Sequence, residues 1–271
     1  MHPPLPRPPG LARFRTAVTI VSAILVLELG GCQTDMSDIT GALGAKTEKA
    51  VPARGLESYR DRYRANPNDI EAALGYGKAL RAAGQRAQAV AVLEQASLAH
   101  PGDKALLAGY GRALADNGNF QQAFDVLGRA HSPEDPDWRI LSAQGAALDQ
   151  LGQGEEARQY YASALRIVPD EPSVLSNLGL SYVLSKDLAK AEETLRRANS
   201  RADADPRVRQ NLALVIGLRG HMAEAESLVK EGRPPEEAAA NVAYLRKMLA
   251  KQANAKADTD VTASIGTARA H

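Results

Sequence analysis

The chain has 271 residues, with 33 basic and 32 acidic side chains giving a net charge of +1, 44% hydrophobic and 4% aromatic residues, and one cysteine. A near-neutral charge gives no reason to expect nucleic-acid binding, and a single cysteine excludes an intramolecular disulfide, so apolar packing must hold the fold. The histidines His2, His100, His131, His221 and His271 lack the paired spacing of a metal site, and no phosphate loop or nucleophile elbow is present, so no metal, cofactor or catalytic residue is assigned.

At the amino terminus Arg7, Arg13 and Arg15 precede an apolar run from Ala17 to Leu27, closed by Glu28. This is the charged n-region and short h-region of a secretory signal, and the run is shorter than the roughly 20 apolar residues of a membrane-crossing helix. The following Leu29-Gly30-Gly31-Cys32 resembles the lipobox of bacterial lipoproteins. That resemblance implies a signal peptide over 1–31, cleavage between Gly31 and Cys32, and diacylation of the Cys32 thiol. A thiolate is a good nucleophile toward an activated lipid donor, and two or more acyl chains hold a protein stably where one is marginal. The alternatives are an ordinary signal peptide with a free cysteine, or an uncleaved membrane helix. Gln33 is not the aspartate that retains lipoproteins in the inner membrane of enteric bacteria, so the resemblance implies the periplasmic face of an outer membrane. Loss of the leader shifts the net charge from +1 to −1. Residues 32–55 read as a flexible polar tether.

Leu56, Tyr59 and Tyr63 recur at helical spacing, and Pro67 lies 34 residues before Pro101, so 56–69 reads as the helix of a degenerate leading half repeat. Five repeats then occupy 70–233. Ala89, Ala123, Ala157, Ala191 and Ala225 stand 34 residues apart, as do Gly77, Gly111, Gly145, Gly179 and Ala213, and Ala96, Ala130, Ala164, Ala198 and Gly232. This is the tetratricopeptide period, in which paired helices bury a core between neighbouring repeats. The repeats differ in detail. The second closes late, at Pro133 and Pro136; the fourth has Lys186 where the others carry a mid-repeat glycine; the second helix of the fifth is cut short by Pro234 and Pro235. Ala238, Val242, Leu245 and Leu249 then form one apolar stripe, predicting a capping helix over 234–250, and 251–271 reads as a disordered tail. The fold class is all-α: a tetratricopeptide-repeat helical solenoid with a C-terminal capping helix, preceded by a lipoprotein signal peptide. Glu155-Glu156, Glu192-Glu193 and Glu236-Glu237 are adjacent helical residues pointing about 100° apart, and read as solvated helix starts favoured by the dipole.

Resemblance to the family places the second, fifth, ninth, twelfth and thirteenth residues of each first helix on a concave face. In the first two repeats these include Glu71, Lys78, Arg81, Arg112 and Asp116; in the last two, Leu180, Val183, Leu184, Leu214 and Leu218. The candidate partner-binding groove is therefore Lys78, Arg81, Arg112, Leu180, Val183, Leu184, Leu214 and Leu218. An exposed apolar stretch of this size calls for a cover: either the helix around Val242 and Leu245 folds into the groove or a partner's apolar helix docks there. The basic stretch either holds an acidic segment of a partner or is a solvated face. Trp138 reads as a packing anchor. The asparagine and lysine pattern with which some tetratricopeptide domains clamp a terminal carboxylate is absent, Asn177 and Asn211 lying at a common structural position.

The lipobox, the repeats and three carboxy-terminal stretches together resemble the TadD family of lipoproteins of the tight-adherence, or Flp pilus, system. The stretches are Gln210-Asn211-Leu212-Ala213-Leu214-Val215, Gly220-His221-Met222-Ala223-Glu224-Ala225-Glu226, and the segment from Pro234-Pro235-Glu236-Glu237 to Ala243-Tyr244-Leu245. The resemblance implies a scaffold for protein–protein interactions, anchored in the outer membrane and facing the periplasm. Its expected partners are the pilus secretin or other Flp-pilus assembly proteins and the membrane itself, with no small-molecule substrate. The alternatives are a lipoprotein of the same fold serving outer-membrane protein insertion or cell-wall enzymes, and an exported enzyme such as a peptidase.

Overall fold

An acidic side chain opens a helix every 34 residues. Asp69, Asp103, Asp137, Glu171 and Asp205 each stand at the N-cap of a first helix and accept a hydrogen bond from a backbone N–H of its first turn, which satisfies a donor the helix cannot. The computed structural model describes residues 53–250. The leader, the Gly31–Cys32 junction, most of the tether and the tail lie outside the described residues. Twelve helices follow in order among them: α1 (Ala53–Ala65), α2 (Ile70–Ala82), α3 (Arg86–Ala99), α4 (Lys104–Asp116), α5 (Phe120–Gly128), α6 (Trp138–Gln150), α7 (Gly154–Ile167), α8 (Pro172–Leu184), α9 (Leu188–Asn199), α10 (Pro206–Leu218), α11 (Met222–Lys230) and α12 over 235–250. Pro172 and Pro206 occupy first-turn positions, where the missing N–H costs nothing.

Within a repeat the two helices meet at the glycine column. A Cβ added to Gly77, Gly111 or Gly179 would lie 2.6 Å from Cγ of Leu93, Leu127 or Leu195, and at Gly145 it would lie 2.8 Å from the Tyr161 ring. Each of those large side chains is almost fully buried, contributing about 2–3 kcal/mol by leaving water. The fifth repeat changes both partners. Ala213 replaces the glycine and Val229 the leucine, and both are buried in one cluster, so the added methyl is matched by a shorter opponent. The turns between paired helices need a left-handed residue, supplied by glycine in four repeats and by Lys186 (φ 62°) in the fourth.

First helices pack on their own second helices and on the next repeat, and successive first helices α2, α4, α6, α8 and α10 also pack together, whereas no two successive second helices pack as closely. The first helices therefore form the inner layer. Each repeat's fifth residue there faces the sixth residue of the next. Leu74 fills the space above Gly109, Ala108 and Ala143 hold the place in the middle, and the amides of Asn177 and Asn211 donate to the hydroxyls of Ser142 (3.1 Å) and Ser176 (3.0 Å). The late closure of the second repeat shortens α5 to nine residues, and 129–137 form an irregular connection bridged between Ser132 and Asp135.

The structure corrects the reading of Glu192 as a solvated helix start. It lies inside α9 and is 8% exposed. Burial raises its pKa, but hydrogen bonds from Arg196 and Arg219 outweigh that and hold the carboxyl below its usual value. Arg196 also reaches Glu224 of α11 at 2.6 Å, tying the last two repeats together on their outer side. Glu155 and Glu156 do sit exposed in the first turn of α7.

Candidate functional site

The inner layer changes character along its length. At the carboxy-terminal end α12 lies on the fifth repeat. Val242, Leu245 and Met248 are buried in one cluster with Leu212, Leu214, Ile216 and Val229, and Leu249 reaches Gly217, where an added Cβ would come within 2.7 Å. Of the inner-face positions of α10, Gln210, Leu214, Gly217 and Leu218 thus meet α12 directly or belong to the cluster it completes. Leu214 is 6% exposed and Leu218 half-buried. Of the fourth repeat's inner residues, Leu180 is buried, and Val183 and Leu184 are half-buried. The apolar part of the groove is mostly covered by the chain itself. Ala238, first in the predicted stripe, is half-buried, while Met248 is buried in its stead.

The middle of the layer holds a buried carboxylate that sequence reasoning did not single out. Asp149, twelfth residue of the third repeat, accepts hydrogen bonds from the Tyr161 hydroxyl (2.8 Å) and the Ser181 hydroxyl (2.7 Å). Burial pushes its pKa up against those two bonds and the nearby Arg158, and the same burial, together with the Asp149 charge, raises the Tyr161 phenol well above its usual value. Arg158 pairs with Glu155 and lies over the Tyr182 ring. Every strong acceptor and donor in this group is satisfied within the fold, so its role is to join repeats 3 and 4.

The amino-terminal end is open and basic. Lys78 is exposed. Arg81 donates through Nε to Asp116 at 2.6 Å, linking repeats 1 and 2. Arg112, half-buried, stands between Arg81 and Arg139, whose guanidinium stacks over the Trp138 ring at 4.4 Å. Burial first, then the Arg81 charge, pulls the Arg112 pKa below its ordinary value, with Asp137 and Asp116 opposing. Arg139 is the second residue of its helix, so the register that selects Arg81 and Arg112 selects it too. Trp138 itself is half-buried against the cluster of Leu141, Leu148 and Tyr161. Among the described residues no group of histidine, cysteine, aspartate or glutamate could hold a metal ion, and no helix is long and apolar enough to cross a membrane.

Comparisons with known proteins agree with this geometry. The family described as Tetratricopeptide repeat matches residues 80–145 and 148–215. Among solved structures the chain is similar to the Cut9–Hcn1 hetero-tetramer of the APC/C, with 16% identity and a TM-score of 0.61 over 82% of this chain and 45% of that one. It is also similar to a thermophilic tetratricopeptide protein of Thermus thermophilus, TTC0263, with 22% identity and a TM-score of 0.57 over 65% and 97% of the two chains. A human IFIT1 dimer is similar at 15% identity and a TM-score of 0.54, over 66% of this chain and 45% of that one. This chain thus spans less than half of the Cut9–Hcn1 and IFIT1 chains. No curated protein sequence matches it.

Proposed function

We propose, for a chain that belongs to the tetratricopeptide-repeat family, the role of a lipid-anchored scaffold that gathers protein partners for the assembly of Flp, or tight-adherence, pili at the periplasmic face of the outer membrane. Stacked helix pairs offer an extended inner face to proteins and peptides. The observation that carries the scaffold reading is the division of that face. The chain covers its own apolar end with α12 and leaves the charged first helices of repeats 1–3 open. A protein seeking only stability has no use for that open charged end.

Support for the anchor is the sequence Leu29-Gly30-Gly31-Cys32 behind a charged and apolar leader. Support for the pathway is the resemblance carried by 210–215, 220–226 and 234–245. A crosslinked pull-down of the protein from detergent-solubilised outer membranes tests the pathway. Recovery of a secretin or another Flp-pilus component is the expected result. Recovery of outer-membrane insertion machinery or cell-wall enzymes instead would leave the scaffold and replace the pathway. For the anchor, labelled palmitate should enter the wild type and be lost with Cys32→Ala; a wild type that never incorporates the label refutes it.

A further inference from the structure

The cations of the first-helix face are not equivalent. Arg81 has Asp116, and Arg139 has the Trp138 ring. Arg112 makes no hydrogen bond or ion pair with any described residue, although it is half-buried and its neighbours include two carboxylates. Both carboxylates are engaged elsewhere: Asp116 accepts from Arg81 at 2.6 Å, and Asp137 accepts from the backbone N–H of Arg139 at 2.7 Å as the cap of α6. A guanidinium carries five donors in a planar fork suited to a carboxylate. Holding one partly desolvated, between two others and with no acceptor, disfavours the free protein, and an arriving anion would relieve that.

We propose that Arg112, flanked by Arg81 and Arg139, receives the side-chain carboxylates of an acidic segment of the partner protein, laid across the first helices of repeats 1–3. The proposal rests on the scaffold reading and specifies its ligand. The spacing favours an extended chain over a single oxyanion. The three guanidiniums come from three successive helices, α2, α4 and α6, and packed helices lie about 8–10 Å apart. The helix spacing alone makes the row roughly 20 Å, and the step from the twelfth residue of α2 to the second of α6 lengthens it, so at least about six extended residues at some 3.3 Å each are needed to follow it. Arg139, held over the face of Trp138, marks one end of the row and Arg81 the other.

The test uses the full chain in detergent and fluorescein-labelled hexaglutamate, with binding read by fluorescence anisotropy at low salt. Saturable binding is expected, weakened at least about tenfold by Arg112→Gln and progressively by added salt, with labelled hexaglutamine not binding. Since Arg112→Gln removes a partly desolvated charge, its melting temperature should equal or exceed that of the wild type. Arg139→Gln, at an exposed position, should weaken binding severalfold and serves as a second probe should Arg112→Gln fail to fold. The proposal is overturned if hexaglutamate does not bind, if both variants bind it as the wild type does, if millimolar inorganic phosphate displaces it, or if a single-stranded RNA of similar charge binds more tightly. Its failure is separable from failure of the scaffold reading: a pull-down that recovers partners while hexaglutamate is ignored removes only the acidic segment.

Discussion

Replacing Gly179 with alanine adds one methyl where the helix pair leaves no room. The new Cβ would sit 2.6 Å from Leu195 Cγ and within 3.2 Å of both its methyls, and Leu195 is fully buried. Overpacking of this kind costs about 1–3 kcal/mol, while alanine recovers about 1 kcal/mol over glycine in a helix interior. The net loss should be about 1 kcal/mol, a fall in Tm of about 2–4 °C for an array of this size. Leu195→Val alone removes a buried methylene and should cost about 1 kcal/mol. Together the two changes reproduce the Ala213 and Val229 pairing of the fifth repeat, so the double variant should be more stable than the sum of the singles predicts by about 1 kcal/mol. Urea unfolding followed by circular dichroism gives all four values. A Gly179→Ala variant as stable as the wild type, or strict additivity in the double, would refute the close-approach argument.

Lys186→Gly should raise Tm, because Lys186 is held at φ 62° at a cost of about 1 kcal/mol that glycine does not bear; an unchanged or lower Tm counts against strain at that turn. Asp149 has its pKa raised by burial, so the folded state keeps its proton to higher pH than the unfolded state does. Wild-type stability measured against Asp149→Asn should therefore fall as pH rises from about 4, the ordinary carboxylate value, through the raised one, and be flat above it. Paired urea titrations across that range check this, and a wild type that gains on the variant as pH rises contradicts it. Leu214→Glu buries a charge beneath α12 and should destabilise the fifth repeat by several kcal/mol; a soluble variant with wild-type melting would mean that α12 does not cover the residue.

The small-residue columns were legible because close helix approach leaves a mark at one residue type, repeated at a fixed step. The acidic N-cap column at Asp69, Asp103, Asp137, Glu171 and Asp205 repeats just as strictly. It was hidden only because caps are polar and resemble ordinary loop residues. Glu192 was misjudged for a different reason: its partner Arg219 stands 27 residues away at the C-cap of another helix, and local pattern cannot say which polar residue a neighbouring repeat will cover. The stripe on α12 was visible from Val242 and Leu245, but periodicity does not fix a cap's path, so that Met248 and not Ala238 is buried had to come from the structure. For the basic end, register alone puts Arg81, Arg112 and Arg139 on one face. That Arg112 goes unpaired among the described residues depends on Asp116 and Asp137 being engaged elsewhere, which no spacing reveals.

The pairs that join one first helix to the next are not all interchangeable. A leucine is seated over a glycine between repeats 1 and 2, and an amide on a hydroxyl between 3 and 4 and between 4 and 5. Docking repeat 1 against repeat 4 would press Leu74 onto the Asn177 amide and leave it unsatisfied, at about 1–3 kcal/mol. Units built to a common plan risk joining out of order, within one molecule or between two. Such mismatches would make wrong splices between the two kinds of junction less stable than the correct one while the chain is still folding.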